Sequence, residues 1–131
     1  MKTILKAVCD KAFITRDTNN LNLIGIFEDI RANKFPVTHP EFYAVFVIEG
    51  DLKEANKSDS YHFDITSSSG EKILDTKPQP QNFKLGMNGK GNVIISIRNA
   101  TFPKEGLYDF NLYIGDKFKE TIPIRVLSAG A

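Results

Sequence analysis

Two short stretches carry residue types capable of chemistry. Cys9 stands beside Asp10. A thiol becomes a catalytic nucleophile when a histidine, a cation or a helix N-terminus lowers its pKa. His62 and Asp64 stand two residues apart, which on an extended strand puts both on one face, where they could offer two ligands to a metal ion. Each pattern also has a plainer explanation. Cys9 lies at i+2 from Ala7 and i+4 from Leu5, the spacing of a small apolar residue on the buried face of a strand. A stable metal site wants three or four ligands, and nothing in the spacing brings His39 or Cys9 to the His62/Asp64 pair. A solvated strand face is therefore expected for His62 and Asp64, and a turn for His39, which precedes Pro40. The acidic pairs Glu28-Asp29 and Glu49/Asp51 fall where apolar runs end, where charges are common, so they do not read as the apposed carboxylates of a glycosidase. "GMNGKGN" lacks the Lys-Ser/Thr ending and the strand-to-helix setting of a phosphate loop, and reads as a hairpin turn. No cofactor, metal or catalytic residue is expected.

The elements that would position such groups follow from composition and pattern. A chain of 131 residues is long enough for one hydrophobic core. Its 17 Lys plus Arg balance 16 Asp plus Glu with the signs interspersed, leaving little electrostatic attraction for nucleic acid or an anionic membrane. A lone cysteine closes no intramolecular disulfide, which points to a reducing, cytoplasmic setting. Lys6 and Asp10 interrupt the N-terminal apolar run, so neither a signal peptide nor a lipoprotein anchor is expected.

The apolar segments are short, rich in Val, Ile, Phe and Tyr, and bounded by turn residues, the pattern of an all-β chain. "GLYDFNLYI" alternates, with Tyr108, Phe110, Leu112 and Ile114 sharing one face; Gly115-Asp116 follows as a two-residue hairpin loop. The next strand turns Phe118, Ile122, Ile124 and Val126 inward, and Pro123, which has no amide proton, predicts a partly unpaired side. Phe83, Leu85 and Met87 share a face and reverse through Asn88-Gly89 into Val93, Ile95 and Ile97. Tyr61, Phe63 and Ile65 point inward, with His62 and Asp64 outward. "EFYAVFVIE" is apolar on both faces, as a strand covered on both sides or one whose outer face meets a partner would be. "LNLIGIFEDI" reads as one strand with a bulge at Gly25, and "RANKFPVTHP", "GDLKEANKSDS" and "DTKPQPQN" read as loops, with a possible helical turn in "DLKEANKS". The expectation is a single antiparallel β-sandwich of eight or nine strands spanning residues 1–131.

Within "ISIRNATFPKEGLYDF", Ile95, Ile97 and Ala100 lead to Gly106, Tyr108 and Phe110. This resembles the strand–turn–strand of immunoglobulin-like domains that ends in Gly-x-Tyr-x-Cys, with Phe110 in the place of the cysteine. The resemblance implies a tyrosine corner, in which the Tyr108 hydroxyl bonds upstream backbone, and implies that Phe110 fills the volume of the missing disulfide. Lys104 stands where the pattern usually has Asp, and the chain has no Trp.

Over its length, through "VCDKAFI", "LNLIGIFEDI", "FPVTHPEFYAVFVIEG" and the Gly-x-Tyr-x-Phe strand, the chain is similar to a group of small bacterial proteins known as a domain of unknown function. That resemblance implies a bacterial, cytoplasmic protein and brings no activity with it. The functional expectation is a non-catalytic interaction or assembly module that binds a protein partner or itself through Phe35, Tyr43, Val45 and Val47. Alternatives are a small-ligand or carbohydrate-binding sandwich, and an enzyme using Cys9 or His62/Asp64.

Overall fold

The computed structural model describes residues 1–51, 53, 58–75 and 81–129. It contains ten strands in chain order: β1 (Lys2–Ile14), β2 (Leu21–Phe27), β3 (Asp29–Ala32), β4 (Val37–Glu49), β5 (Ser58–Ser67), β6 (Lys72–Asp75), β7 (Gln81–Lys84), β8 (Lys90–Phe102), β9 (Gly106–Ile114) and β10 (Phe118–Ser128). They form two sheets, one ordered β2-β1-β4-β8 and the other β3-β10-β9-β5-β6, with β7 also against β5.

All pairings are antiparallel except β3 with β10, so the fully antiparallel expectation is corrected at one edge. The strand count is corrected as well. "LNLIGIFEDI" is two strands, because the chain passes from one sheet to the other at Glu28, whose carbonyl accepts a bond from Arg125 N. Val37–Pro40, expected as loop, extend β4, and Phe35-Pro36 is a cis peptide bond. The possible helical turn and most of "DTKPQPQN" fall at residues outside those described.

The inward alternation of β9 and β10 places Tyr108, Phe110, Leu112, Ile114, Ile122, Ile124 and Val126 in the core, opposite Phe42, Ala44, Phe46 and Ile48 of β4 and Val93, Ile95 and Ile97 of β8. At the centre of the core the contact between the sheets is aromatic. The Phe110 ring lies 6.0 Å from that of Phe46 in the facing sheet and stacks at 5.2 Å on Phe63 of its own sheet. At the β8–β9 crossing the Tyr108 hydroxyl donates to the Lys104 carbonyl (2.5 Å) and accepts from Lys104 N (3.4 Å). A buried phenol thereby satisfies the turn's backbone as well as its own oxygen.

Two turn expectations are corrected. Ile114 pairs with Phe118, so the β9–β10 loop holds three residues, Gly115 to Lys117, and not two. The strand holding Phe83 pairs with β5 in the other sheet, not with β8. Phe83 and Leu85 are buried as expected, but Met87 lies in the reversal and is 83% exposed.

Two left-handed backbone positions bend the first sheet. Gly25 has φ +71° opposite Asp10, and Asn99 has φ +57° opposite Pro40. Proline offers no amide proton to the ladder, so a break there is inexpensive. Across it, His39 and Phe42 come to one side with rings 5.6 Å apart, and Phe27 packs on both. His39 is thus a half-buried strand residue and not a turn residue, and burial pushes its imidazole pKa down.

Candidate functional site

The residues first suspected of chemistry are engaged in holding the fold. Cys9 is fully buried, and its thiol donates to the Lys11 carbonyl (3.2 Å). Burial first, then the Asp10 carboxylate, pushes its pKa up, the opposite of what a nucleophile needs. Alkylating reagents are therefore expected to leave Cys9 unmodified in the native protein and to label it only as the chain unfolds. Rapid native labelling, followed by mass, would contradict this placement.

His62 and Asp64 do share the outer face of β5, but Asp64 is not solvated: it is 3% exposed. Asn111 on β9 donates to Asp64 Oδ1 (2.8 Å) and to Thr66 Oγ1 (3.2 Å), while Thr121 on β10 donates to Asn111 Oδ1 (2.7 Å). Lys72 lies between Asp64 (3.9 Å) and Asp75 (3.3 Å). The Tyr113 hydroxyl bonds Asp64, and its pKa is raised by burial first and then by that carboxylate. Tyr113 also stacks on His62 at 4.7 Å, and the Lys119 ammonium lies 5.6 Å from its ring. A hydrogen-bonded network across four strands rigidifies a sheet. Among the described residues, no three His, Cys, Asp or Glu side chains are placed to share a metal ion. Of the acidic pairs, Asp29 lies 4.0 Å from Arg31, and Glu49 3.6 Å from Lys2.

The expected contact residues are divided by the fold. Tyr43, Val45 and Val47 lie on the outer face of β4, while Phe35 sits in the β3–β4 connection and packs against the main core. Val45 is completely buried in a second cluster with Cys9 and Ala12. Leu21, Leu23, Tyr43 and Ile94 pack against that cluster. Leu21 and Leu23 come from the half of the β1–β2 hairpin beyond the Gly25 break. The apolar outer face of β4 is thus met in part by an arm of the same chain, and Val45 is not available to a partner. A charge placed there would be buried and unpaired, so Val45→Lys reports on folding and not on association.

Apolar surface remains open on the arm. Ile24 is 54% exposed and Ile26 63%, both on β2, whose far edge pairs with no strand among the described residues. Phe13 is also exposed, and the pairs Lys11↔Ile24 and Phe13↔Asn22 put it diagonal to Ile24 on one face. Leu5, beside Val47, is exposed as well. On the other flank, Glu41 takes Lys11 (3.0 Å) and Arg98 (3.1 Å), and the bond from Lys11 is the largest influence holding its carboxyl below the usual range.

Sequence reading passed over Ile24 and Ile26 because an alternating apolar strand is normally half buried. The available signal was the absence of charge from Thr18 to Phe27, bounded by Asp17 and Glu28.

A cavity of about 510 Å³ opens beside the β9–β10 hairpin, lined by Met1, Asp59, Ile114, Asp116, Lys117 and Phe118. Asp59 already accepts from Ser60 N, and one aromatic ring lines the space.

The molecule is therefore a two-sheet all-β domain with exposed apolar side chains on an edge strand. It belongs to the family described as "Family of unknown function (DUF6941)", whose pattern it matches over residues 5–127. No curated protein matches it.

Proposed function

We propose that this chain is a non-catalytic protein-binding module on an immunoglobulin-like sandwich, and that β2 with its hairpin arm is the surface it binds through. The carrying observation is the uncharged edge of β2, unpaired among the described residues, with Ile24 and Ile26 more than half exposed. Contiguous exposed apolar surface on a soluble domain marks interaction sites, and open strand edges accept further strands. Tyr43, which packs with Leu21 and Leu23 against the cluster that holds Val45, forms its margin, and Val47 lies beside exposed Leu5 beyond the end of β2.

The immunoglobulin-like reading is supported by strand order. β10-β9-β5 follows the G-F-C order of that fold, β4 pairs β8 as B pairs E, and the tyrosine bond at the crossing falls where such domains carry it. A cytoplasmic, bacterial setting accompanies this reading, on the single, buried cysteine and the resemblance drawn from the sequence. Sugar binding is less favoured, since Phe118 is the one aromatic ring among the residues lining the cavity.

The test is a tagged pull-down from lysate of the source organism, comparing the natural chain with Ile24→Lys and Ile26→Lys. Both side chains are exposed, so the variants should keep the native melting temperature. A protein retained in stoichiometric amount by the natural chain and lost from both variants is the expected result. Equal retention by the variants, or no retained protein, would overturn the assignment of the surface.

A further inference from the structure

Most of the free edges among the described residues carry a means of refusing another strand. β10 is unpaired upstream of Arg125, where β3 takes over. In that stretch Lys6 Nζ donates to the Thr121 carbonyl (2.9 Å), the Glu120 carboxylate accepts from Thr121 N (3.3 Å), and Pro123 has no proton to give. Lys6 and Glu120 lie 3.6 Å apart, so the two caps hold each other. Inward-reaching charge and proline are established ways of closing an edge to addition. β3, β6 and β7 are four residues long, and each carries charge: Asp29 and Arg31, Lys72 and Asp75, and Lys84. β8 carries Lys90 and Arg98. β2 has seven residues with no charge and no proline, and its one interruption is the left-handed Gly25.

Resting on the surface proposed above, we infer that the occupant of the β2 edge is β2 of a second copy of this chain, paired antiparallel about a two-fold axis. A two-fold pairing sets a strand against its own reversal, so charges within it risk facing like charges, which destabilises cross-strand pairs. β2 meets that condition along its whole length. In the register centred on Ile24, Leu21 faces Phe27 of the copy, Asn22 faces Ile26, and Ile24 faces its own mate. Glu28, the first charge past the strand, faces Asn20 and not another charge. A foreign strand would be selected by charge or by pockets, and this edge offers it no charge. Pairing would join two four-stranded sheets into one of eight.

The size of the contact is that of weak, transient interfaces. Seven residues span about 23 Å at ~3.3 Å per residue, which with the flanking side chains falls in the small class of interfaces, below about 1,200 Å² in total. The association should therefore be reversible and visible at micromolar concentrations or above.

Sedimentation of the purified full chain from about 5 to 500 μM, a range that brackets micromolar affinity, tests this. The natural chain should shift from monomer to dimer, while Ile24→Lys, which brings two like charges together at the two-fold, should shift the midpoint at least tenfold upward or abolish dimerisation. A disulfide trap supplies the register: in a Cys9→Ala background, Ile24→Cys should cross-link to its own mate under mild oxidation, and Leu107→Cys, exposed on the other sheet, should not. A natural chain that stays monomeric throughout overturns the self-pairing. If its lysate partner is nonetheless lost on Ile24→Lys, the surface stands and the occupant is a different protein. Dimers unaffected by Ile24→Lys and not trapped by Ile24→Cys place the contact elsewhere, and overturn the inference also.

Discussion

Phe110→Ala is expected to destabilise the domain by about 3–5 kcal/mol, the range for removing a buried phenylalanine. Phe110 is fully buried, touches the ring of Phe46 across the sandwich, and stacks on Phe63. Its removal takes away apolar burial and also opens a void between two close-packed sheets. A domain of this size has total stability of order 5–15 kcal/mol, so much of the native population is at stake. Phe110→Leu, which keeps most of the volume, should cost less than half as much. Urea denaturation measures both. A loss below about 1 kcal/mol for Phe110→Ala, the level of an ordinary surface change, would mean that this ring does not join the sheets as described.

Gly25→Ala is expected to cost about 1–2 kcal/mol from backbone strain alone, because a side chain disfavours the left-handed region by that amount. At φ +71°, an added Cβ would also overlap the Asp10 carboxylate, which must swing away. The break at Gly25 lets Leu21 and Leu23 turn onto the cluster of Cys9, Ala12 and Val45. Straightening it should loosen the arm, so Cys9 should be alkylated faster in Gly25→Ala than in the natural chain under native conditions. Combining it with Asp10→Ala should recover the collision and leave the strain. A Gly25→Ala protein of unchanged stability and unchanged thiol protection would show that the arm is not held by this bend.

Much of the fold is legible in the sequence because period-two alternation records which face is wet. β8, β9 and β10 are each placed by that rule, and the bond from the Tyr108 hydroxyl to the Lys104 backbone is one that the resemblance to immunoglobulin-like domains implies. Pro123 marks an edge because a missing proton is a local property. What is not legible depends on distant neighbours. The division of "LNLIGIFEDI" at Glu28 depends on β10 offering a parallel place to Asp29–Ala32. Asp64 is buried on an outer face because Asn111, Tyr113 and Lys72 arrive from β9 and β6. Val45 is apolar for a covering that comes from residues more than twenty positions away, and so it resembles a contact residue. The chemistry of Lys6 is likewise invisible until the unpaired edge of β10 lies beside it.

The most direct test of self-pairing through the β2 edge is amide hydrogen exchange read strand by strand at low and high protein concentration. Self-pairing predicts that protection of Leu21–Phe27 rises with concentration, while β10 upstream of Arg125, closed by Lys6, Glu120 and Pro123, does not change. Exchange in β2 that is independent of concentration, or added protection at another edge, would contradict the account.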